Sequence, residues 1–190
     1  MLPVASEVVV LRHGATEWSA NGRHTSHTDL PLTPEGRLET EQLRGRIADR
    51  EFALVLTSPL RRARDTAAIC GLGEQAAVDE LLREWDYGEY EGVTTVEIRK
   101  TIPGWTVWSG SCPGGESADD VSRRADAVIA RTDEIDGAVA VFSHGHFSRV
   151  LVARWLGLPA IDGRLFAMHT ATVNVLGYER EQRVLSTLNG

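Results

Sequence analysis

Short β-branched runs alternate along this chain with longer stretches of helical spacing. Residues 7–12, EVVVLR, are brief, apolar and without a 3.6-residue period, which predicts a buried strand. A polar loop follows. The stretch LTPEGRLETEQLRGRIADR offers Thr33 as N-cap and Pro34 at the first helical position, with Leu38, Leu43 and Ile47 as parts of an apolar face; this predicts a helix. FALVLTS, 52–58, predicts a second buried strand, and PLRRARDTAAICG a second helix opened by Pro59 and stopped near Gly71. A short strand is expected near Val78. The segment 84–116 holds Trp85, Trp105 and Trp108 among many glycines and reads as irregular, with one short helix near 94–101. SADDVSRRADAVIARTDEI then predicts a helix whose Ser117 and Asp120 resemble a capping box, with Asp in the usual place of Glu or Gln. AVAVFS, 138–143, is a further strand, HFSRVLVARWLG a further helix, and TATVNVLGYE and RVLSTLN two final strands. No composition break marks a linker. The alternation predicts one domain over 1–190, a three-layer α/β/α arrangement with helices on both faces of a mostly parallel sheet.

Composition narrows the classes of function. At 190 residues and 42% hydrophobic content the chain can bury one ordinary core. Its 20 basic and 27 acidic residues give a net charge of −7, which argues against broad attraction to nucleic acid or an anionic membrane. Any anion must therefore be held by a local cluster. MLPVASEVVVLRHG has no signal-peptide pattern and no run approaches the roughly 20 apolar residues of a membrane span, so cytoplasmic residence is expected. Cys70 and Cys112 lie far apart without metal-ligand spacing and are expected to be reduced structural thiols. His144 and His146 straddle a glycine rather than sharing a helix face, and no other constellation has convincing ligand spacing, so neither a metal nor another cofactor is expected. The oligomeric state stays open, a homodimer included.

Three predicted strands end in polar clusters: Arg12-His13-Gly14, Thr57-Ser58 leading to Arg61-Arg62, and Ser143-His144-Gly145-His146. In open α/β sheets ligands bind at the carboxyl ends of the strands, so these clusters should meet. Taken singly, each residue has an ordinary structural use. Together, arginine forks and histidines at helix N-termini form an anion site suited to a phosphoryl group.

LRHGATEW with LPLTPEG downstream, TSPLRRARDTA, REWDYGEYEG, PGGES and FSHGHFSR resemble, in order, the motifs of the histidine phosphatase superfamily, which includes phosphoglycerate mutases and acid phosphatases. EWDYGEYEG and WTVWSGSCPGGES are more similar to a branch of broad phosphatases and sedoheptulose bisphosphatases than to the mutases. The resemblance implies His13 as a nucleophile forming a phosphohistidine, Arg12, Arg62 and a protonated His144 as the clamp on the transferring group, and Glu84 as acid and base. A neutral imidazole attacks phosphorus without first losing a proton, and a cationic clamp needs no metal. Only the family motif singles out Glu84 over Glu89 and Glu91; Trp85 beside it is expected to raise its pKa.

Thr16, Ser19, Arg23, Thr25 and Ser26 match positions where the mutase pattern contacts substrate, and Tyr87 is a further candidate contact. Ser19 stands where mutases carry asparagine, and HTSH replaces their Gly-Trp pair. His24 and His27 are expected to be exposed loop residues, Glu116 a helix-entry or supporting residue, and Trp105 and Trp108 core or lid aromatics. The implied activity is a metal-independent phosphomonoesterase of small phosphorylated metabolites, of acid phosphatase or sugar (bis)phosphatase type. The alternatives are a phosphoglycerate mutase and, behind it, a phospho-ligand binding module without turnover.

Overall fold

The computed structural model describes residues 7–190. Four parallel strands lie side by side in the order β3 (Ala76–Val78), β2 (Leu54–Thr57), β4 (Ala138–Ser143) and β1 (Glu7–Arg12). An antiparallel hairpin, β5 (Val173–Glu179) and β6 (Gln182–Thr187), extends the sheet beyond β1. The helices are α1 (Glu17–Asn21), α2 (Pro34–Ile47), α3 (Arg61–Ile69), α4 (Thr95–Ile98), α5 (Ala118–Asp133) and α6 (Gly145–Trp155).

Both faces of the sheet are covered because its strands are apolar at consecutive positions. Val8 and Val10 of β1 join Val139 and Val141 under Val121, Val128, Phe147 and Leu151 of α5 and α6. Val9 and Leu11 point the other way, with Val55 and Phe142, against Leu43 and Ile47 of α2 and Ala67 of α3. Period-2 geometry thus turns one run of valines into two cores. The predicted three-layer α/β fold is the observed one.

Some boundaries differ from the sequence expectation for local reasons. Helix α3 starts at Arg61, capped by Leu60 without a side-chain bond, rather than at Pro59. Strand β2 is four residues long, shorter than the 52–58 run. Leu38 is 60% exposed, because the buried stripe of α2 runs through Gly36, Thr40, Leu43 and Ile47. The stripe opens with small residues because the loop after β1 presses on it: a Cβ at Gly36 would lie 2.2 Å from Ala15 O, and one at Gly14 2.4 Å from Thr40 Oγ1. Helix α1 lies in the stretch expected to be only loop; Thr16 and Ser19 close it with reciprocal capping bonds. The Ser117–Asp120 box forms as expected, and Thr33 caps α2 by accepting from Gly36 N.

Candidate active site

Pairing in register brings the three polar strand ends together. Arg12 on β1 lies beside Ser143 on β4, His13 N donates to Ser143 O (3.0 Å), and Ser58 N, past the end of β2, donates to Phe142 O (3.0 Å). The cavity over these ends is about 260 Å³, and Arg12, His13, Glu84, Tyr87 and His146 are among the residues lining it.

His13 is buried, and its Nδ1–H donates to the Gly14 carbonyl at 2.7 Å. That bond assigns the tautomer and leaves the Nε2 lone pair free. Burial, followed by the charges of Arg62 and Arg12, holds the His13 pKa well below the ordinary histidine value, so the ring is neutral at pH 7. The Gly14 amide in turn donates to Thr66 Oγ1 (3.1 Å), tying the histidine's loop to α3.

The Arg12 guanidinium lies against Gly145, where a Cβ would come within 3.3 Å of its Cζ, and Nη1 donates to Met168 O. Arg62 and His144 are wholly buried behind the cavity rather than lining it. Arg62 donates to the carbonyls of Thr28 (3.1 Å), Thr25 (3.1 Å) and Ser26 (3.2 Å), and its Nε–H to His144 Nδ1 (3.1 Å). With Nδ1 accepting, the His144 proton sits on Nε2 and is donated to Ser58 Oγ (2.7 Å). Burial first, then Arg62, keeps the His144 pKa well below its usual value. The expected protonated His144 is therefore corrected: the ring is neutral, and a second positive charge 3.1 Å from an arginine nitrogen is what the low-dielectric interior disfavours.

Glu84 is buried at the N-terminus of α6. Its Oε1 accepts from Trp85 N (2.9 Å) and Phe147 N (2.8 Å), and its Oε2 from His146 N (3.0 Å). The surroundings are thus main-chain donors, and Trp85 turns its indole N–H to Glu116 O (3.0 Å). Glu91 pins the 26–28 loop through Ser26 N and Thr28 N, and Glu89 is exposed, so burial separates three glutamates that look alike in sequence. Glu116 supports the site from outside: it accepts two bonds from Arg124 (each 2.7 Å) and one from Asp86 N (2.9 Å), while Arg124 Nη1 also donates to Leu81 O and Arg83 O.

Of the expected substrate contacts, Thr16, Ser19, Arg23, Thr25 and Tyr87 line the cavity. Ser26 does not; it is buried with its amide on Glu91 and its carbonyl on Arg62. The two loop histidines part company. His27 is exposed and pairs with Asp86 (3.0 Å), whereas His24, expected to be exposed, is buried against Tyr87 and Trp105 and lines the cavity. Its Nδ1–H donates to Val93 O (2.6 Å), a contact to a segment about 70 positions away that local sequence does not display. Trp105 is core, and Trp108 packs edge-on to His146. His146, from the third polar cluster, lines the cavity; sequence reasoning missed Arg149 as a wall residue, and its i, i+3 spacing from His146 on α6 was the available signal. His146 bonds Tyr87 Oη at 2.7 Å.

These buried neutral imidazoles predict a pH dependence. His13, His144, His146 and His24 all have lowered pKa values, chiefly through burial. The unfolded chain therefore binds more protons than the native one below about pH 6.5, with a slope approaching about 1.4 kcal/mol per pH unit for each histidine. Stability should fall as pH drops through 6 toward 5, measured by urea midpoints; a flat profile there would contradict the buried neutral assignments.

A family model for the histidine phosphatase superfamily (branch 1) matches residues 8–190, and the chain belongs to that superfamily. It is 45% identical over 186 residues to an acid phosphatase of Mycobacterium tuberculosis, covering 95% of this chain and 91% of that protein. A sedoheptulose 1,7-bisphosphatase of Saccharomyces cerevisiae is 36% identical over 184 residues, covering 79% of this chain and 67% of that one. Among solved structures, an open reading frame of Mycobacterium tuberculosis superposes with a TM-score of 0.90 at 42% identity over 96% of both chains. The protein is a phosphatase of this superfamily.

Proposed function

We propose that the protein is a metal-independent phosphomonoesterase of small phosphorylated metabolites that works through a phosphohistidine on His13. The observation that carries this reading is the His13 tautomer, with Nδ1–H held by Gly14 O and a neutral ring that lines the cavity together with Arg12. Attack by Nε2 on phosphorus splits hydrolysis into two displacements. Arg12 meets the charge on the equatorial oxygens, and Arg62, behind it, adds positive potential. His144 acts through Arg62 as a positioning residue. Glu84 protonates the leaving oxygen and then takes a proton from the water that releases phosphate.

The cationic groups already supply what a divalent ion would, and Glu84 is the one carboxylate that lines the cavity among the described residues. Activity should survive prolonged EDTA treatment; loss that a divalent ion reverses would contradict the clamp. A panel of phosphorylated metabolites assayed for phosphate release, with 3-phosphoglycerate interconversion followed in parallel, tests the reaction class. Phosphate release supports the reading; interconversion without release would make the protein a mutase, and binding without either a non-catalytic module.

Neither nucleic acid nor membrane is assigned as a partner, given the charge of −7 and, among the described residues, no helix long and apolar enough to cross a membrane. A cytoplasmic setting is supported by Cys70 and Cys112, both free and buried, with burial pushing their thiols up to about 12 and about 11.

A further inference from the structure

The Arg12 guanidinium makes one protein hydrogen bond among the described residues, from Nη1 to Met168 O, and its Nε is buried without a partner. Apart from its packing on Gly145, a long and flexible side chain is therefore aimed by a single main-chain carbonyl. The segment that carries this carbonyl decides where the fork points. Residues 166–172 are neither helix nor strand, so they owe their place to side-chain and loop contacts.

Two ties hold them. Ala171 N donates to the carbonyls of Arg12 (3.1 Å) and His13 (3.2 Å). At the other end, the Asn189 amide spans Met168: its Nδ2 donates to Ala167 O (2.7 Å) and its Oδ1 accepts from His169 N (2.8 Å). His169 N and Met168 O belong to one planar peptide and point in opposite directions. Holding the N–H on Asn189 thus turns the carbonyl toward Arg12.

Asn189 is itself well anchored. Its φ of 56° is left-handed, which asparagine tolerates better than most residues, and its N–H donates to Oδ1 of the wholly buried Asn174 (2.9 Å). Asn174 Nδ2 donates in turn to Val10 O (3.3 Å) on β1, two residues before Arg12. Gly190 pairs with Val173 through both main-chain groups (2.9 and 3.1 Å), so the backbone here does not depend on the Asn189 side chain.

We propose that Asn189 is a positioning residue for the phosphoryl clamp: through the Met168–His169 peptide, its amide aims the Arg12 guanidinium at the phosphoryl oxygens. This rests on the reading of Arg12 as the clamp. None of the motifs that mark the site in the sequence includes position 189. A clamp oriented before substrate arrives needs no reorganisation as charge develops, and small misplacements of such a group are costly.

The test is a double-mutant cycle on p-nitrophenyl phosphate. Asn189→Gly keeps the left-handed backbone and deletes the amide. It is expected to lower kcat about tenfold with KM within about threefold of wild type, because a misaimed clamp is felt most in the transition state. Arg12→Ala alone should cost about 10²-fold or more, and in that background Asn189→Gly should change kcat by less than about twofold. Thr172→Val removes the Oγ1 bond to His169 O (2.8 Å) and gives a second cycle that leaves Asn189 in place; its loss should be smaller and should also vanish without Arg12. An undiminished loss in the Arg12→Ala background would assign Asn189 to general structure and overturn the proposal. Turnover of Asn189→Gly within about twofold of wild type would overturn it too, leaving the clamp in place. Arg12→Ala turnover within about tenfold of wild type would refute the clamp and this inference with it.

Discussion

Alanine at position 13 is expected to lower kcat by at least about 10⁴-fold, the scale on which removal of a covalent nucleophile is felt. The fold should survive. The mutation removes one side-chain bond to Gly14 O, a contribution of about 1 kcal/mol, and leaves the Ser143 and Thr66 ties of the loop in place. Far-UV circular dichroism and the urea midpoint should therefore stay near those of the wild type. Turnover within tenfold of wild type in a folded His13→Ala protein would remove the histidine from the chemistry.

Glu84→Gln is expected to separate leaving groups. An alkoxide departs poorly near neutral pH without a proton, whereas p-nitrophenolate needs little help, and general acid catalysis contributes about 10²–10⁴-fold where it is needed. Single-turnover phosphoenzyme formation should slow by about 10²-fold or more with a sugar phosphate, and by less than about tenfold with p-nitrophenyl phosphate. Steady-state rates mix in the second displacement, in which the same carboxylate activates water, so the first step is the one to follow. The amide cannot accept all three N–H bonds now made by Trp85, His146 and Phe147, which costs about 1–3 kcal/mol and is read separately from the urea midpoint. Equal slowing with both leaving groups would make Glu84 a binding or structural residue.

The sequence disclosed those parts of the molecule that rest on local pattern. EVVVLR and AVAVFS are strands because consecutive apolar β-branched positions have no other compact use, and their polar ends meet because they pair in parallel. Arg12, His13, Arg62, Glu84 and His144 do converge on one end of the sheet. Hidden in the sequence was how each group spends its hydrogen bonds. Nothing local tells that Arg62 would give its Nε–H to His144 Nδ1, a contact that adds to burial in keeping the ring neutral. Ser26 serves the site through its main chain, which residue type does not encode. Leu38 has the right chemistry for a core but lies off the Gly36, Thr40, Leu43, Ile47 stripe, which carries two small residues because the His13 loop must approach closely. His24 and Arg149 join the cavity through contacts across the fold, with Val93 and Trp108 respectively.

The central claim is a covalent phosphoryl group on His13 Nε2. Wild-type protein mixed with phosphorus-labelled sugar phosphate, quenched in alkaline denaturant within the first turnover and digested, should carry an acid-labile, base-stable label on the peptide that contains His13. Phosphorus NMR of that peptide should report the Nε2 isomer, and His13→Ala should carry no label. A full first turnover of released phosphate with no label on the protein, or a label on any other residue, would contradict the account.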